Sequence, residues 1–406
     1  MSKYRIGVDV GGTFTDALMI DDSNGEVFTW KVPSTPQDPS IGVMNSIPKK
    51  GVGILSNTQT FVHGTTIAEN ALIQRRGPRV GIIATKGQRD RIEIQRCNLL
   101  WSFDFYYRKP EPLVPRTLRK EVNERTSSDG TVLTSVDRVG LIRVAKELVD
   151  ARVDAISILF LNSYANSHNE EAAGNIIRNE FPNVHVVTSS EVLPEILEYE
   201  RFSATVLSAY LRPILEAYVD KMRVCLHEYG FRGDLMIMQA NGGLMTSETA
   251  KKRSCLLIES GVAGGVVGTL EVCSRIGYKD IITFDMGGTT AKACLIRGGE
   301  PSINVENLKE GYPLNFPMID IVSIGAGGGS LAWVDEQGGL HVGPQSAGAQ
   351  PGPACYGNGG TEPTVTDAHV VLGTIDHGKF LGGDMKIYPE LARQAVMKIA
   401  KQYDSN

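Results

Sequence analysis

The chain has 406 residues, which is too long for one ordinary hydrophobic core, so its length predicts two or three domains. Hydrophobic residues make up 42% of the chain and charged residues 21%, a composition typical of soluble globular proteins. The net charge of −5 and the lack of a dominant basic stretch argue against a nucleic-acid partner. No run of about eighteen apolar residues and no signal peptide is visible, so we expect no membrane association and a cytoplasmic location.

The 6 cysteines are scattered along the sequence and form no C-x-x-C pair. This spacing predicts reduced thiols and argues against a zinc site. Together with the composition, it indicates a cytoplasmic protein that is an enzyme or part of one.

The first elements predict an antiparallel start. YRIGVDV is apolar and β-branched, and it breaks at Gly11 and Gly12. ALMIDD and VFTWKV, separated by an SNGE turn, predict two more strands rather than a βαβ unit. TQTFVHG (58–64) predicts a strand that leads into a helix over TTIAENALIQRR, and RVGIIATKG predicts a further strand.

The middle of the chain predicts alternating helices and strands. Residues 101–115 have the composition of a long loop, and the following SVDRVGLIRVAKELVDARVDAISILFL predicts a helix and a buried strand. A helix from Asn169 and the strand VHVVTSS complete a βαβ pattern. Residues 190–230 predict one long helix, or two separated at Pro213. We therefore expect two domains, 1–190 and 191–406.

The second half of the chain repeats the strand and glycine turn with which the first half opens. A strand (DLMIMQA), a glycine turn and a helix lead into IITFDMGGTTAKACLIRGG. DMGGTTAKA, beginning at Asp285, matches DVGGTFTDA, beginning at Asp9. The sequence thus contains a duplicated strand–glycine turn–strand unit.

This unit suits phosphate binding. Glycines permit a sharp turn and let backbone N–H groups approach an anion, and a threonine hydroxyl can donate to a phosphate oxygen. The acid would repel phosphate unless a divalent cation lies between them, so Asp9 and Asp285 are candidate Mg²⁺ ligands, directly or through water. A single copy is equally compatible with a hairpin and a turn-capping Asp. Two copies favour ligand binding.

Two phosphate hairpins facing across a cleft are the arrangement of the actin, sugar kinase and Hsp70 ATPase fold, which is ribonuclease H-like. We therefore expect an α/β protein with two duplicated lobes of this kind. In it, ESGVAGGVVG (259–268) is expected to form the helix that connects the lobes, with small residues that permit close packing.

The remaining motifs resemble the hydantoinase A/5-oxoprolinase family. They are VHGTTIAENALIQRRGPRVGIIATKGQRD, ANGGLM, ESGVAGGVVG, FDMGGTTAK, IVSIGAGGGSLAWVD and VGPQSAGAQPGPACYGNGGTEPTVTDAHVVLG, within a resemblance that runs from Tyr4 to about Gly373. They do not separate this family from its acetone carboxylase β-subunit branch.

The resemblance implies ATP and Mg²⁺ as cofactors and phosphorylation of a carbonyl-type oxygen. It implies catalytic roles for Asp9, at the metal, and for Asp285, either at the metal or orienting the attacking oxygen, and the HGTT context adds His63 as a catalytic candidate. The nucleotide-binding residues that it implies lie in two glycine turns: Gly11, Gly12, Thr13, Thr15, Gly287, Gly288, Thr289 and Thr290. Gly327 and Gly328 in GAGGGS form either a third anion-binding nest or a tight strand–helix turn.

The sequence allows more than one role for several further residues. His63 in HGTT is either a substrate-binding residue at a helix N-terminus or a satisfied structural histidine. Cys355 is either a nucleophile or a small buried residue at a turn. Asp367 and His369 lie two apart, which on a strand places them on one face, where they can hold a metal or substrate.

The resemblance also implies the reaction and the partners. It predicts an ATP-dependent hydrolase subunit that activates a cyclic amide (hydantoin, 5-oxoproline or a similar lactam) for ring opening, working with a hydantoinase B-like subunit or a C-terminal domain, in an oligomer. Members of the family run several hundred residues further, through an adenosine-binding glycine loop, so we expect the second lobe to be incomplete. The alternatives are an acetone carboxylase β-like subunit that phosphorylates a ketone or bicarbonate, and a truncated non-catalytic nucleotide-binding or assembly protein.

Overall fold

The structure is a computed structural model that describes residues 3–11, 14–35, 38–47, 52–75, 77–96, 106, 108–288, 290–348, 350–383 and 385–404. None of the helices in these ranges is both long and apolar enough to cross a bilayer. The strands of the first part of the chain are β1 Tyr4–Val10, β2 Phe14–Asp21, β3 Val27–Pro33, β4 Thr58–Thr65, β5 Val80–Thr85, β6 Arg119–Val122, β7 Arg125–Thr126, β8 Val132–Thr134, β9 Ala155–Leu159, β10 His185–Thr188, β11 Asp234–Met238 and β12 Leu244–Thr246.

The second part contains mostly short strands. They are β13 Ile281–Met286, β14 Ala291–Arg297, β15 Glu300–Pro301, β16 Ile303–Asn304, β17 Asn307–Lys309, β18 Tyr312–Leu314, β19 Met318–Ile319, β20 Ile321–Ile324, β21 Ser330–Val334 and β22 Leu340–Ser346.

The α-helices vary in length from a single turn to 31 residues. They are α1 Pro39–Ser46, α2 Val52–Leu55, α3 Ile67–Ile73, α4 Arg91–Ile94, α5 Arg138–Asp150, α6 His168–Glu180, α7 Ser189–Val192, α8 Glu198–Glu228, α9 Ser247–Lys252, α10 Ser260–Arg275, α11 Val365–Val371 and α12 Pro389–Asp404. Short 3₁₀ turns occur at Arg116–Leu118, Ser254–Leu257, Ala354–Tyr356 and Phe380–Gly383.

Sheet I has six strands in the order β12-β11-β4-β1-β2-β3. β1 pairs with β2 antiparallel and with β4 parallel, so the predicted antiparallel opening is confirmed. The side chains of β1 alternate, with Ile6, Val8 and Val10 buried on one face and Asp9 exposed on the other. This alternation places the predicted acid on the face of the sheet opposite its core.

Sheet II has four parallel strands in the order β10-β9-β5-β6. All residues of β5 and β9 are buried, as expected for a parallel sheet that is covered on both faces. The predicted helix–strand alternation of this region is confirmed by α5, β9, α6 and β10.

One hydrophobic core extends from sheet II to sheet I, and α8 packs within it. The helix continues through Pro213 without interruption. Sheet I takes β1–β4 from before residue 190 and β11 and β12 from after it. The division predicted near residue 190 therefore does not separate two cores.

Sheet III consists of β13, β14, β15 and β20, with β14 between β13 and β20. Helix α10 contacts β4 and β11 of sheet I and β13 and β14 of sheet III. Val262, Ala263 and Val266 of α10 pack against Cys294 and Ile296 of β14. The prediction of a connecting helix at 259–268 is thus confirmed.

The expectation that Asp367 and His369 lie on a strand is wrong, because both lie on helix α11. Thr364 caps this helix and forms a reciprocal capping box with Asp367, which is buried and also accepts from the N–H of Cys355 at 2.8 Å. His369 Nδ1 lies 2.8 Å from the Thr374 hydroxyl. Burial raises the pKa of the Cys355 thiol, which favours its structural interpretation.

Candidate functional site

The two glycine turns close in the same way. The N–H of Gly11 donates to the carbonyl of Phe14 at 3.0 Å, and the N–H of Gly287 donates to the carbonyl of Thr290 at 3.0 Å. The flanking strands pair in matching register, with Asp9 opposite Asp16 and Asp285 opposite Lys292. The duplication read from the sequence is therefore a duplication of structure. Three predicted nucleotide-binding residues lie outside the described residues: Gly12, Thr13 and Thr289.

Two glycines flank the carboxylate of Asp9. A Cβ on Gly64, near the end of β4, would lie 2.7 Å from Asp9 Oδ1. A Cβ on Gly261, in the first turn of α10, would lie 3.0 Å from the same oxygen. A side chain at either position would push against the carboxylate, so the two glycines leave room for it. Asp9 therefore lies where β1, β4 and the beginning of α10 meet.

The charge environment of Asp9 is unfavourable for an anion without a cation. Burial of part of the carboxyl group, followed by repulsion from Asp16 and Asp285, raises its pKa to about 6, and Lys31 partly opposes this rise. The side chain nonetheless keeps solvent-exposed surface, as expected for a group that lines a cleft. The repulsion from Asp285 means that the two predicted acids lie close enough for their charges to interact.

The beginning of α10 adds a favourable field. Its N-terminal end lies beside Asp9, where the helix dipole favours negative charge. Glu259 precedes the helix with a φ of 65°, a left-handed conformation that is costly for a residue with a side chain. It is buried, and its carboxylate forms an ion pair with Lys309 at 2.5 Å. This ion pair fixes the start of the helix.

A buried ion pair joins sheet III to the first part of the chain. Lys292 Nζ lies 2.6 and 2.8 Å from the two carboxylate oxygens of Glu69, on α3. The side chains of Lys292 and Glu69 are only 7% and 19% exposed. Because Lys292 is the cross-strand neighbour of Asp285, this pair places a positive charge next to the second acid.

The third glycine loop holds the second glycine turn. The N–H groups of Gly328 and Gly329 donate to the carbonyls of Gly287 and Gly288, at 2.8 and 2.7 Å. The N–H of Gly327 donates to the Ser330 hydroxyl. These amides are occupied by protein acceptors, so the anion-nest interpretation of Gly327 and Gly328 is not supported and a tight turn is favoured, which joins strands β20 and β21 and not a strand and a helix.

Thr15 also faces the core. Its side chain is fully buried, and its hydroxyl lies 3.0 Å from that of Ser34, which donates to the carbonyl of Gly11 at 2.8 Å. Thr15 therefore supports the first glycine turn from behind and does not present its hydroxyl to a phosphate. Thr290 contributes its carbonyl to closing the second turn.

His63 lies on the core face of β4, opposite the cleft. It is fully buried, and its Nε2 lies 2.8 Å from the Tyr218 hydroxyl on α8. Burial lowers its pKa to about 4, so the ring is neutral at neutral pH. The structure does not bring His63 to Asp9, and its position favours the structural interpretation over the predicted catalytic one.

Asp9 and Asp285 fit the preferences of a hard divalent cation. Mg²⁺ takes oxygen ligands and is usually held by one or two carboxylates together with phosphate oxygens and water. Within the described part of the chain, no three His, Cys, Asp or Glu side chains gather as metal ligands. Two mutually repelling carboxylates form an arrangement that a divalent cation would stabilise.

Comparison with known proteins identifies the family. Residues 5–181 match the hydantoinase/oxoprolinase N-terminal region, and residues 201–406 match hydantoinase/oxoprolinase. The chain belongs to the hydantoinase/oxoprolinase family. The predicted resemblance is thus confirmed.

Two relatives in this family illustrate the degree of similarity. Caprolactamase subunit alpha of Pseudomonas jessenii is 37% identical over 413 residues, which cover 99% of this chain and 59% of that subunit. The 5-oxoprolinase of Saccharomyces cerevisiae is 30% identical over 418 residues, covering 92% of this chain and 32% of that protein. The chain spans about three fifths of the length of the caprolactamase subunit.

Solved structures confirm the mixed α/β fold. The nucleotide-free acetone carboxylase structure superposes with a TM-score of 0.84 at 29% identity, covering 100% of this chain and 60% of that chain. The ATP-dependent caprolactamase of Pseudomonas jessenii superposes with a TM-score of 0.82 at 36% identity, covering 98% and 59%. The finer assignment to the actin and sugar kinase fold stays a prediction.

Several residues of this hydantoinase/oxoprolinase site were not predicted. Gly64 and Gly261 stand inside quoted motifs, but their contact with Asp9 depends on how three segments meet. Lys292 could have been found by counting across the second hairpin, which places it opposite Asp285. Its partner Glu69 carries no comparable sequence signal.

Proposed function

We propose that this chain binds Mg·ATP between its two glycine turns and transfers the γ-phosphoryl group to the carbonyl oxygen of a cyclic amide. Resonance makes an amide carbonyl a poor electrophile. Phosphorylating its oxygen converts that oxygen into a good leaving group and releases ADP. Water then adds to the activated carbon, the ring C–N bond breaks as the nitrogen takes up a proton, and the resulting acyl phosphate is hydrolysed by a second water to a carboxylate and phosphate.

One observation carries the proposal: two equivalent glycine turns, each with an acid two residues before its first glycine, are linked by α10, which lies against Asp9 and packs on the strand that carries Asp285. Glycine turns expose backbone N–H groups to phosphate oxygens, and phosphoryl transfer depends chiefly on positioning and charge neutralisation. Mg²⁺, when bound by Asp9 and Asp285, would neutralise the phosphate charge and relieve the repulsion between the two carboxylates.

The family supports the choice of substrate class. Relatives act, by their names, on caprolactam and 5-oxoproline, both cyclic amides. Caprolactamase subunit alpha is also named as one subunit of an enzyme. We therefore propose a small lactam or cyclic imide as substrate and a companion subunit or domain of the hydantoinase B type for ring opening.

Phosphate release tests this proposal. The chain is incubated with ATP, Mg²⁺ and one of caprolactam, 5-oxoproline or hydantoin, with acetone plus bicarbonate as the carboxylase comparison. We expect one cyclic amide to stimulate phosphate release. Asp9→Asn should reduce that release by about 100-fold or more, since it removes a charge at the centre of the site.

The matched control is Asp150→Asn, which removes an exposed carboxylate paired with Lys146 on α5. It should leave phosphate release unchanged. Stimulation by acetone and bicarbonate alone would replace the lactam with a ketone as the substrate. Absence of Mg·ATP binding in calorimetry would contradict the proposal at its first step.

A further inference from the structure

A cavity of about 630 Å³, which we call the α6 cavity, lies at the carboxyl edge of sheet II. It is lined by residues just beyond β9, at the end of β10, on α6 and on α7. In open α/β sheets, ligands bind in the crevice outside the carboxyl ends of the strands, and a cavity of this volume suits a small molecule. None of the described residues that line it belongs to the two glycine turns, so the α6 cavity is not part of the proposed nucleotide site.

Buried hydrogen bonds fix the two strand ends that border the α6 cavity. Glu170 of α6 is fully buried, and its carboxylate accepts from the N–H groups of Phe160 and Ser190, both at 2.8 Å. Arg201, also fully buried, donates to the carbonyl of Phe160 at 2.9 Å and to the hydroxyl of Ser189 at 3.1 Å. Because these groups satisfy one another, they hold the surroundings of the cavity in place and are not available to a ligand.

One face of α6 supplies charged and polar side chains to the α6 cavity. Glu171, Asn175 and Arg178 follow one another at intervals of four and three residues, which places them on one side of the helix, and all three line the cavity. Glu191, on α7, lines it as well. Its Oε2 atom lies 3.9 Å from Nη2 of Arg178, so a carboxylate and a guanidinium lie side by side in the cavity wall.

Arg178 and Glu191 have hydrogen-bonding capacity to spare. Their separation of 3.9 Å permits charge attraction but is too long for a hydrogen bond. Within the described part of the chain, Glu191 Oε2 is buried from solvent and has no hydrogen-bond partner. The guanidinium donates at 3.4 Å to Asn175 Oδ1 and at 3.4 Å to the carbonyl of Val186, both long contacts. The pair can therefore take an additional acceptor at Arg178 and an additional donor at Glu191.

We propose that the α6 cavity binds an α-amino acid, whose carboxylate accepts from Arg178 and whose ammonium group donates to Glu191. Arginine matches the planar geometry of a carboxylate, and an ammonium group is a donor without acceptor capacity. In an α-amino acid the two charged groups are attached to one carbon atom, which matches two protein groups that lie side by side. A ligand with carboxylates alone would be repelled by Glu191, and an amine alone would leave Arg178 without an added acceptor.

The biological role of this ligand rests on the proposed function. Hydrolytic opening of 5-oxoproline breaks the ring C–N bond and yields glutamate, which is an α-amino acid. On that function, the α6 cavity holds the class of product that the chain helps to form, at a place outside the glycine turns. L-glutamate is therefore the probe for this site.

Calorimetry on the 406-residue chain without ATP tests the proposal, with L-glutamate, glutarate and 6-aminohexanoate as probes. Glutarate lacks the ammonium group, and 6-aminohexanoate carries it at the far end of the chain from the carboxylate. We expect L-glutamate to bind at least about tenfold more tightly than either analogue. Arg178→Gln and Glu191→Gln should each weaken L-glutamate binding by at least about tenfold, since each leaves one charge of the ligand unpaired.

Arg138→Gln is the matched control, because Arg138 is exposed, pairs with Glu180 at 2.9 Å and does not line the α6 cavity. It should leave L-glutamate binding unchanged, and circular dichroism should show that all three variants are folded. Three outcomes would each overturn the proposal: no binding of L-glutamate, equally tight binding of glutarate, or binding that survives both Arg178→Gln and Glu191→Gln.

Phosphate release separates this inference from the proposed function. Binding of L-glutamate that depends on Arg178 and Glu191, without any release stimulated by a cyclic amide, would support the amino-acid site and contradict only the proposed function. Amide-stimulated release by a chain that does not bind L-glutamate would support the proposed function and overturn the amino-acid site.

Discussion

Asp9 is the side chain on which the separate segments of the site converge. Its carboxylate lies against Gly64 and Gly261, and the negative charges of Asp16 and Asp285 repel it. The two glycines allow the close approach, and the two acids make it electrostatically costly. The site therefore holds a carboxylate in an arrangement that a cation would stabilise.

The raised pKa of Asp9 predicts that the difference in stability between the wild type and Asp9→Asn depends on pH. Folding raises this pKa from 3.8 to about 6, so the folded chain binds the proton more tightly than the unfolded chain. Ionisation of Asp9 therefore destabilises the fold as the pH rises from about 4 to about 6. Asp9→Asn should melt at a higher temperature than the wild type at about pH 8, and the difference should vanish below about pH 4.

Asp129→Asn is the control for this measurement. Hydrogen bonds from Ser127 and Thr131 lower the pKa of Asp129, so its replacement should reduce the melting temperature at about pH 8. Melting curves in which Asp9→Asn is no more stable than the wild type at that pH would contradict the assigned environment of Asp9.

The glycines of α10 give a second prediction. Gly261→Ala would place a Cβ 3.0 Å from Asp9 Oδ1, whereas a Cβ on Gly265 meets nothing within 4 Å. We expect Gly261→Ala to weaken Mg·ATP binding about tenfold by displacing the carboxylate. Gly265→Ala should leave binding unchanged and stabilise the fold by up to about 1 kcal/mol through helix propensity. Calorimetry and urea unfolding of both variants measure these effects, and equal affinities would remove the role assigned to Gly261.

For individual residues, the repeated motif marks Asp9 and Asp285 as an equivalent pair, but it does not identify the side chains that surround them. Asp9 and Asp285 are recognisable because the motif repeats. Thr15 and His63 were predicted to serve the site, but each lies on the strand face that points to the core. The alternation of a strand assigns residues to two faces but does not say which face borders the cleft until its register with β1 is known.

Among the elements, α3 and β14 are joined by the ion pair between Glu69 and Lys292. Removing one partner leaves a largely buried charge unpaired. Lys292→Met should therefore destabilise the protein by about 3 kcal/mol in urea unfolding. The exposed pair on α5 provides the comparison, since Lys146→Met should cost less than about 1 kcal/mol.

A double-mutant cycle tests the interaction directly. If Lys292 and Glu69 stabilise each other, Glu69→Gln combined with Lys292→Met should cost less than the sum of the single changes. Additive losses would mean that the two side chains contribute independently.

Elements differ in how well the sequence predicts them. The opening strands and α5 follow from periodicity, α10 was expected from the resemblance of ESGVAGGVVG, and all are confirmed. Helix α11 was missed because its 7 residues are too few to display a helical period, although Thr364 and Asp367 form the capping box that announces it. A local hydrogen-bonding signature was more informative there than the spacing of Asp367 and His369.

For the whole molecule, the two sheets that share the hairpin differ in burial. Sheet I is covered by α1 and α8 on one face, whereas in the described part of the chain Ile282 and Phe284 of β13 and Val322 of β20 are exposed on one face of sheet III. Backbone amides exchange with solvent by local opening, which is easier where few apolar contacts hold a strand. We expect hydrogen exchange by mass spectrometry to show faster exchange in β13 than in β1. Equal protection of the two strands would mean that the exposed face of sheet III is covered in solution.

The overall connection of the sheets was the hardest feature to predict. Composition changes near residue 190 suggested a domain boundary, yet β11 returns to pair with β4 in sheet I. Such long-range pairing depends on packing between segments far apart in the chain, which local patterns do not encode. The hairpin duplication was predictable because its motif occurs twice in the sequence, at Asp9 and at Asp285.

Helix α10 touches Asp9 at its first turn and carries sheet III along its side. The helix therefore links the position of sheet III to the surroundings of Asp9. A small rotation of sheet III about this helix would change the distance between the two glycine turns while Asp9 stays at the pivot. A change in that distance would alter the repulsion between Asp285 and Asp9, and with it the pKa of Asp9.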